Sequence, residues 1–189
     1  ENISSCNLGH LNLKKYVTGE FKLPHTATRS ERLAEFRRCY NFTELGNATR
    51  SLTENINKVI DYNYYPLDER DKDGNVTKQG KISRTNLRDR PLGIGVSGLA
   101  ETFALLDIYY ESEEAELLNK MIFACMYYNG LKESLKLAER DGEYDSFRYG
   151  SFKGYDSITK TFREYKGSPL SNGMFQFDMW QQEADYLQS

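Results

Sequence analysis

Between Ser112 and Gly142 the apolar residues Leu118, Met121, Ile122, Cys125, Tyr128, Leu131, Leu135 and Ala138 return every three or four positions, which commits about thirty residues to one helix. Ser112, Glu113 and Glu114 mark its start, because acidic side chains complement the positive end of a helix dipole. Asp141-Gly142 marks its end. A second stripe, Leu45, Ala48, Leu52, Ile56, Val59 and Ile60, predicts a helix of about twenty residues ending near Asp61. Asn41 is its N-cap, with Glu44 placed three residues on to return the hydrogen bond. Pro66 prevents further extension. Shorter helices are expected over Leu99 to Leu106 and over Glu31 to Cys39, the latter capped by Ser30. Strands are poorly served. Ile3 to Leu13 reads as an extended segment leading into a turn, Met174 to Trp180 as a brief strand, and residues 143 to 173 as loops and short irregular strands. Residues 67 to 89 read as polar loop. Two or three short extended segments cannot close a sheet. The expected fold is therefore mainly α with a few short strands, a single segment spanning residues 1–189.

Composition narrows the chemistry. A chain of 189 residues with 39% hydrophobic and 28% charged residues buries a real core. No apolar run approaches the roughly 18 residues of a membrane span. The net charge of -3 leaves no basic footprint for nucleic acid or acidic lipid. Membrane and nucleic acid are thus excluded as expected partners. The start, Glu1-Asn2-Ile3, carries no initiator methionine and no signal-peptide pattern, so the chain reads as cut from something longer. Cys6, Cys39 and Cys125 cannot all pair with one another and match no zinc spacing, which fits a reducing cytoplasmic compartment. Glycosylation-type tripeptides at Asn2, Asn41, Asn47 and Asn75 arise easily by chance.

Three stretches invite a functional reading. Gly93-Ile94-Gly95-Val96-Ser97-Gly98 satisfies G-x-G-x-x-G, the pattern that turns out of a buried strand and cradles a pyrophosphate at a helix N-terminus. Arg84 to Pro91 precedes it, a charged run ending in proline rather than a Val/Ile-rich strand. The glycines are therefore read as framework, allowing a tight turn and close strand-to-helix packing. A dinucleotide-dependent oxidoreductase is kept as an alternative. Asp71-Lys72-Asp73-Gly74-Asn75 resembles the start of a calcium loop, but Val76 and Ile82 stand where glycine and a closing Glu are needed. It is expected to be an exposed turn. His10 and His25 are too few and too isolated for a metal centre, so no metal and no cofactor are expected in this chain.

The cysteines differ by context. Cys125 lies on the apolar stripe of the long helix and reads as core. Cys39 sits near a helix end with nothing to activate it. Ser5-Cys6-Asn7-Leu8-Gly9 is small, polar and turn-prone, a setting in which a thiol is exposed and open to exchange.

Four blocks read in order extend this. They are Cys6-Asn7-Leu8 with Leu11-Asn12-Leu13, then Asn57 to Pro66 (Asn-Lys-Val-Ile-Asp-Tyr-Asn-Tyr-Tyr-Pro), then Arg90-Pro91-Leu92-Gly93-Ile94-Gly95-Val96, then Gly167-Ser168-Pro169 with Gln176-Phe177-Asp178-Met179-Trp180. Together with Leu117 to Lys120 and Tyr127-Tyr128, the set resembles the large, catalytic subunit of class I ribonucleotide reductase, from Cys6 to Trp180. The resemblance implies a partial segment of a ten-stranded α/β barrel whose parent reduces ribonucleotides to deoxyribonucleotides by thiyl-radical chemistry. It also implies that Cys6 is one of two redox-active cysteines that supply electrons by closing a disulfide. By the same resemblance, its partner cysteine, the radical-bearing cysteine and the C-terminal tyrosine pair belong to other segments. The segment alone is then expected to be inactive. Implied partners are the remainder of the large subunit, the radical-generating small subunit, a thioredoxin- or glutaredoxin-type reductant and the ribonucleotide substrate. A non-catalytic docking module that completes a split subunit is the nearer alternative. Gly9-His10 departs from the small residues common after Cys-Asn-Leu in the family, and residues 20–39, 67–89 and 150–166 look longer than in many relatives.

Overall fold

The computed structural model describes residues 3–149, 151–156 and 159–166. The described residues are mostly helical with few strands. Strand β1 (Asn7–Asn12) leads through a single 3-10 turn, Leu13–Tyr16, to helices α1 (Arg29–Cys39) and α2 (Phe42–Tyr62). Next come a small hairpin of β2 (Glu69–Arg70) and β3 (Val76–Lys78), helix α3 (Lys81–Asp89) and strand β4 (Leu92–Ser97). Helices α4 (Leu99–Leu105), α5 (Glu113–Asp141) and α6 (Asp145–Tyr149) follow, then strands β5 (Ser151–Asp156) and β6 (Thr161–Lys166). Among the described residues the strands form three separate two-stranded sheets, β1 with β4, β2 with β3 and β5 with β6. The last two pairs are antiparallel. In the first, a Cβ on Gly93 would meet Leu8 and one on Gly95 would meet Gly9 and His10, so the positions rise together and the strands run in the same direction. A parallel pair needs a crossover, which the intervening helices supply. Among the described residues no helix is long and apolar enough to cross a membrane.

The described residues fall into two compact units. One gathers residues 9–53 and 94–134. Its core is Leu13, Tyr16, Leu33, Phe36, Cys39, Tyr40, Phe42, Leu45, Phe103, Leu106 and the buried face of α5, from Ala115 to Met126. Removing a side chain such as Phe36 or Met121 from this packing would cost about 2–5 kcal/mol. Tyr40 is buried there with its hydroxyl donating to the Leu13 carbonyl at 3.1 Å. The other unit gathers residues 3–8, 54–93 and the described part of 135–166. Its interior is smaller and more polar: Ile56, Ile60, Tyr65 and Leu137 are buried beside Ser83, Thr85 and Asn86.

The two long helices stand where their stripes predict, and α4 matches its expected range to one residue. Ser112 Oγ accepts from the Ala115 amide at 3.1 Å, and Gly142 at φ 88 ends α5. Several details differ. The cap of α1 is Thr28, not Ser30: only from Thr28 does Glu31 fall at the third helical position, where the capping box closes in both directions. At α2 the Asn41 side chain caps the Glu44 amide at 3.0 Å, but the Asn41 N–H goes to the Tyr16 carbonyl at 2.7 Å, so the reciprocal bond from Glu44 is replaced. Residues 67–89 are not a continuous loop, since they hold a hairpin and α3. Leu135 is 62% exposed, because ten residues at about 100° each leave it well off the direction of Cys125. The glycine run, expected to allow a tight turn and close strand-to-helix packing, lies mostly inside strand β4, with the turn left to Gly98. The brief strand expected over Met174 to Trp180, and the block Gly167 to Pro169, lie outside the described residues.

Candidate redox site at Cys6

Cys6 sits at the entry to β1 and is exposed, whereas Cys39 and Cys125 are buried. The difference follows from sequence. Cys39 and Cys125 occupy apolar faces of helices, where burial pushes their thiols up, to about 11 and about 12 respectively. The Cys125 thiol also donates to the Phe42 carbonyl at 3.3 Å. Burial in both cases disfavours the reactive thiolate. Cys6 precedes a short strand among small polar residues, and its Sγ makes a long contact, 3.8 Å, with the Asn7 carbonyl.

The backbone before Cys6 is tightly held. The Ser5 N–H donates to Asn86 Oδ1 at 2.9 Å, and Asn86 Nδ2 donates back to the Ser5 carbonyl at 2.8 Å. Asn86 is fully buried on α3 and its Nδ2 also lies 3.5 Å from the Tyr65 hydroxyl, which itself donates to the Ile60 carbonyl at 2.9 Å. Helix α3 begins at Gly80, which brings no capping side chain. Asp68 replaces it from outside the helix: its Oδ1 accepts from the Gly80 amide at 2.7 Å and from the Ser83 hydroxyl.

Arg90 binds two of the recognised blocks together. Its guanidinium donates to both carboxylate oxygens of Asp61, at 2.9 and 2.7 Å, and to the side chain and carbonyl of Asn57, at 2.7 and 2.9 Å. The first block joins through Asn7, whose Oδ1 accepts from Asn63 Nδ2 at 3.4 Å. Asn7 Nδ2 is buried without a hydrogen-bond partner among the described residues.

The glycines of the dinucleotide-like run divide between two roles. Gly93 leaves room: a Cβ there would lie 3.3 Å from Cys6 Sγ and 2.8 Å from Leu8 Cδ2. Gly98 turns the chain from β4 into α4 at φ 76. Oxygen atoms crowd that turn, with Asn12 Oδ1 and Glu101 Oε2 lying 2.7 and 3.1 Å from where a Gly98 Cβ would be. A carboxylate and an orphaned carbonyl oxygen repel a pyrophosphate, so the turn is a poor anion cradle. Gly93 is the residue of the run that borders the candidate site. Asn86 escaped the sequence reading, because an asparagine in a charged run gives no sign of burial; its position just before the Arg90 block was the one available signal.

His25 lies on an exposed surface, 3.5 Å from Glu114. His10 is exposed on β1. Among the described residues no group of three or more His, Cys, Asp or Glu side chains gathers into a set that could hold a metal. The Asp71 to Asn75 segment is an exposed turn in which Asp71 Oδ1 accepts from the amides of Asp73 and Asn75, both at 2.9 Å.

Comparison with known proteins adds an independent line. Residues 1–189 match the family described as ribonucleotide reductase, barrel domain. The chain is 37% identical over 186 residues to the ribonucleoside-diphosphate reductase large subunit of Acanthamoeba polyphaga mimivirus, covering 98% of this chain and 16% of that protein. It is 38% identical over 185 residues to the large subunit of Plasmodium falciparum (isolate Dd2), covering 98% of this chain and 17% of that protein. With the large subunit of Caenorhabditis elegans the identity is 36% over 180 residues, covering 95% and 17%. The chain thus spans about a sixth of the length of these relatives.

Proposed function

The chain belongs to the ribonucleotide reductase family as a segment of its barrel domain, an enzyme family, and on that premise we propose that Cys6 is one of the two thiols that deliver electrons to the ribonucleotide. In the complete subunit the balance is simple. Two thiols lose two electrons and two protons and join as a disulfide; one proton leaves with the 2′-hydroxyl as water, and the other, with the two electrons, forms the C2′–H bond that replaces the broken C2′–O bond. A thioredoxin- or glutaredoxin-type dithiol then reduces the disulfide by exchange. The observation that carries the reading is the exposure of Cys6 beside the burial of Cys39 and Cys125, because a cycling thiol must be reached by substrate-side chemistry and by a reductant. The radical starts elsewhere, in the small subunit, and the segment by itself turns nothing over. The cytoplasm, where such reductants keep thiols reduced, is the proposed setting.

The test is Cys6→Ser in the complete large subunit assayed with its small subunit and thioredoxin. Loss of thioredoxin-dependent turnover is expected, and intact turnover overturns the assignment.

A second reading has its own observation. Tyr62, Tyr64 and Leu67 are 88%, 66% and 64% exposed, the kind of apolar surface a docking module would present to the rest of the subunit. Mixing this chain with the remaining segments separates the two: recovered deoxynucleotide formation supports a split enzyme.

A further inference from the structure

We propose that Asn86 is a positioning residue for the Cys6 thiol, with Gly93 as the opposing wall, an inference that rests on the redox reading of Cys6 given above. An exposed residue at the mouth of a strand is ordinarily loose. Cys6 is not free to be so, because the residue before it is clipped through both backbone groups, at 2.9 and 2.8 Å, to a side chain with no exposed surface. The amide of Asn86 imitates one rung of a strand partner. Its orientation is determined by its contacts: rotating the amide would set N–H against the Ser5 N–H and oxygen against the Ser5 carbonyl. The main chain of Asn86 is fixed as well, its carbonyl accepting the Arg90 amide at 2.8 Å. On the other side Cys6 Sγ faces Gly93, close enough that even a methyl group would press on it at 3.3 Å.

Geometry matters here because a disulfide forms only when the two Cα atoms approach within about 4.4–6.8 Å and the Cβ–S–S–Cβ dihedral nears 90°. A thiol held in place meets that condition repeatedly. One swinging with a loose chain end meets it rarely, and a misplacement on the order of 1 Å costs about a hundredfold in rate.

The test is made in the complete large subunit, by following disulfide formation at Cys6 in a single turnover without reductant, alongside alkylation of Cys6 by iodoacetamide. Asn86→Leu, which keeps the size and removes both bonds, is expected to slow disulfide formation between about tenfold and a hundredfold. Alkylation should stay within about twofold, since the thiol keeps its exposure. Asn86→Asp keeps the acceptor for the Ser5 N–H and should lose less. Were the leucine variant unable to fold, Asn86→Asp and Gly93→Ala would carry the same comparison, each slowing disulfide formation more than alkylation. Unchanged disulfide formation in these variants, with a wild-type disulfide present, overturns the inference and leaves the redox assignment standing. Absence of a Cys6 disulfide in the wild-type subunit overturns the redox assignment itself.

Discussion

Arg90 holds Asp61 through two parallel hydrogen bonds, of 2.9 and 2.7 Å, from a backbone in the left-handed region at φ 48. The same guanidinium reaches Asn57 twice. Lysine has one ammonium and cannot reproduce a planar fork on two partners. Arg90→Lys should therefore destabilise the chain by about 1–2 kcal/mol, more than the 0.2–1 kcal/mol of an exposed ion pair, because the Asn57 bonds are lost as well. Urea unfolding measures it, and an unchanged midpoint would refute the assigned role.

Thr28 closes a two-way cap on α1: the Glu31 amide donates to its hydroxyl at 3.3 Å, and its own amide and hydroxyl donate to the Glu31 carboxylate, both at 2.7 Å. Thr28→Ala should cost about 1 kcal/mol at neutral pH. The side-chain and backbone bonds from Thr28 hold the Glu31 carboxyl below its ordinary value. A depressed carboxyl contributes stability above the unfolded value of 4.5, and loses it as pH falls through the folded one. The gap between wild type and variant should thus narrow in acid. A gap that widens as pH falls contradicts the cap.

The buried thiols set an alkaline limit. Cys39 and Cys125 ionise near 9.0 when unfolded but only at about 11 and about 12 in the fold, chiefly because burial disfavours the thiolate. For raised values the stability is complete below 9.0 and is lost as pH climbs through 11 and 12. Tyr40, raised by the same desolvation, adds to the trend. Urea midpoints should fall steadily above pH 9.0. Replacing Cys125 by Ala removes its share of the slope; a slope identical to wild type would show that this thiol is not buried.

Helices α2 and α5 were legible because a period of three to four apolar residues has no other economical explanation over twenty or more positions. Helix α3 was not, because its buried face is Ser83, Thr85 and Asn86, and its apolar residues, Ile82 and Leu87, are too few to make a stripe. Polar burial is a tertiary fact: Asn86 is inside because Ser5 and Tyr65, distant in sequence, meet its amide there. The exposure of Cys6 was legible in its small polar neighbours. That Gly93 borders its sulfur was not, since pairing between β1 and β4 joins segments about eighty residues apart. The pattern match at Gly93 to Gly98 carried little for a related reason. It records where glycines stand, and only the strand and the oxygen-lined turn around them decide what approaches.

The redox role of Cys6 is open to direct measurement. The complete large subunit, turned over once on ribonucleotide without reductant, is alkylated and digested, and its disulfides are mapped by mass spectrometry. The prediction is a peptide containing Cys6 linked to a cysteine outside residues 1–189, with Cys39 and Cys125 unlinked and alkylated only after unfolding. Recovery of Cys6 as a free thiol, from a preparation that formed its stoichiometric deoxynucleotide, would contradict the account.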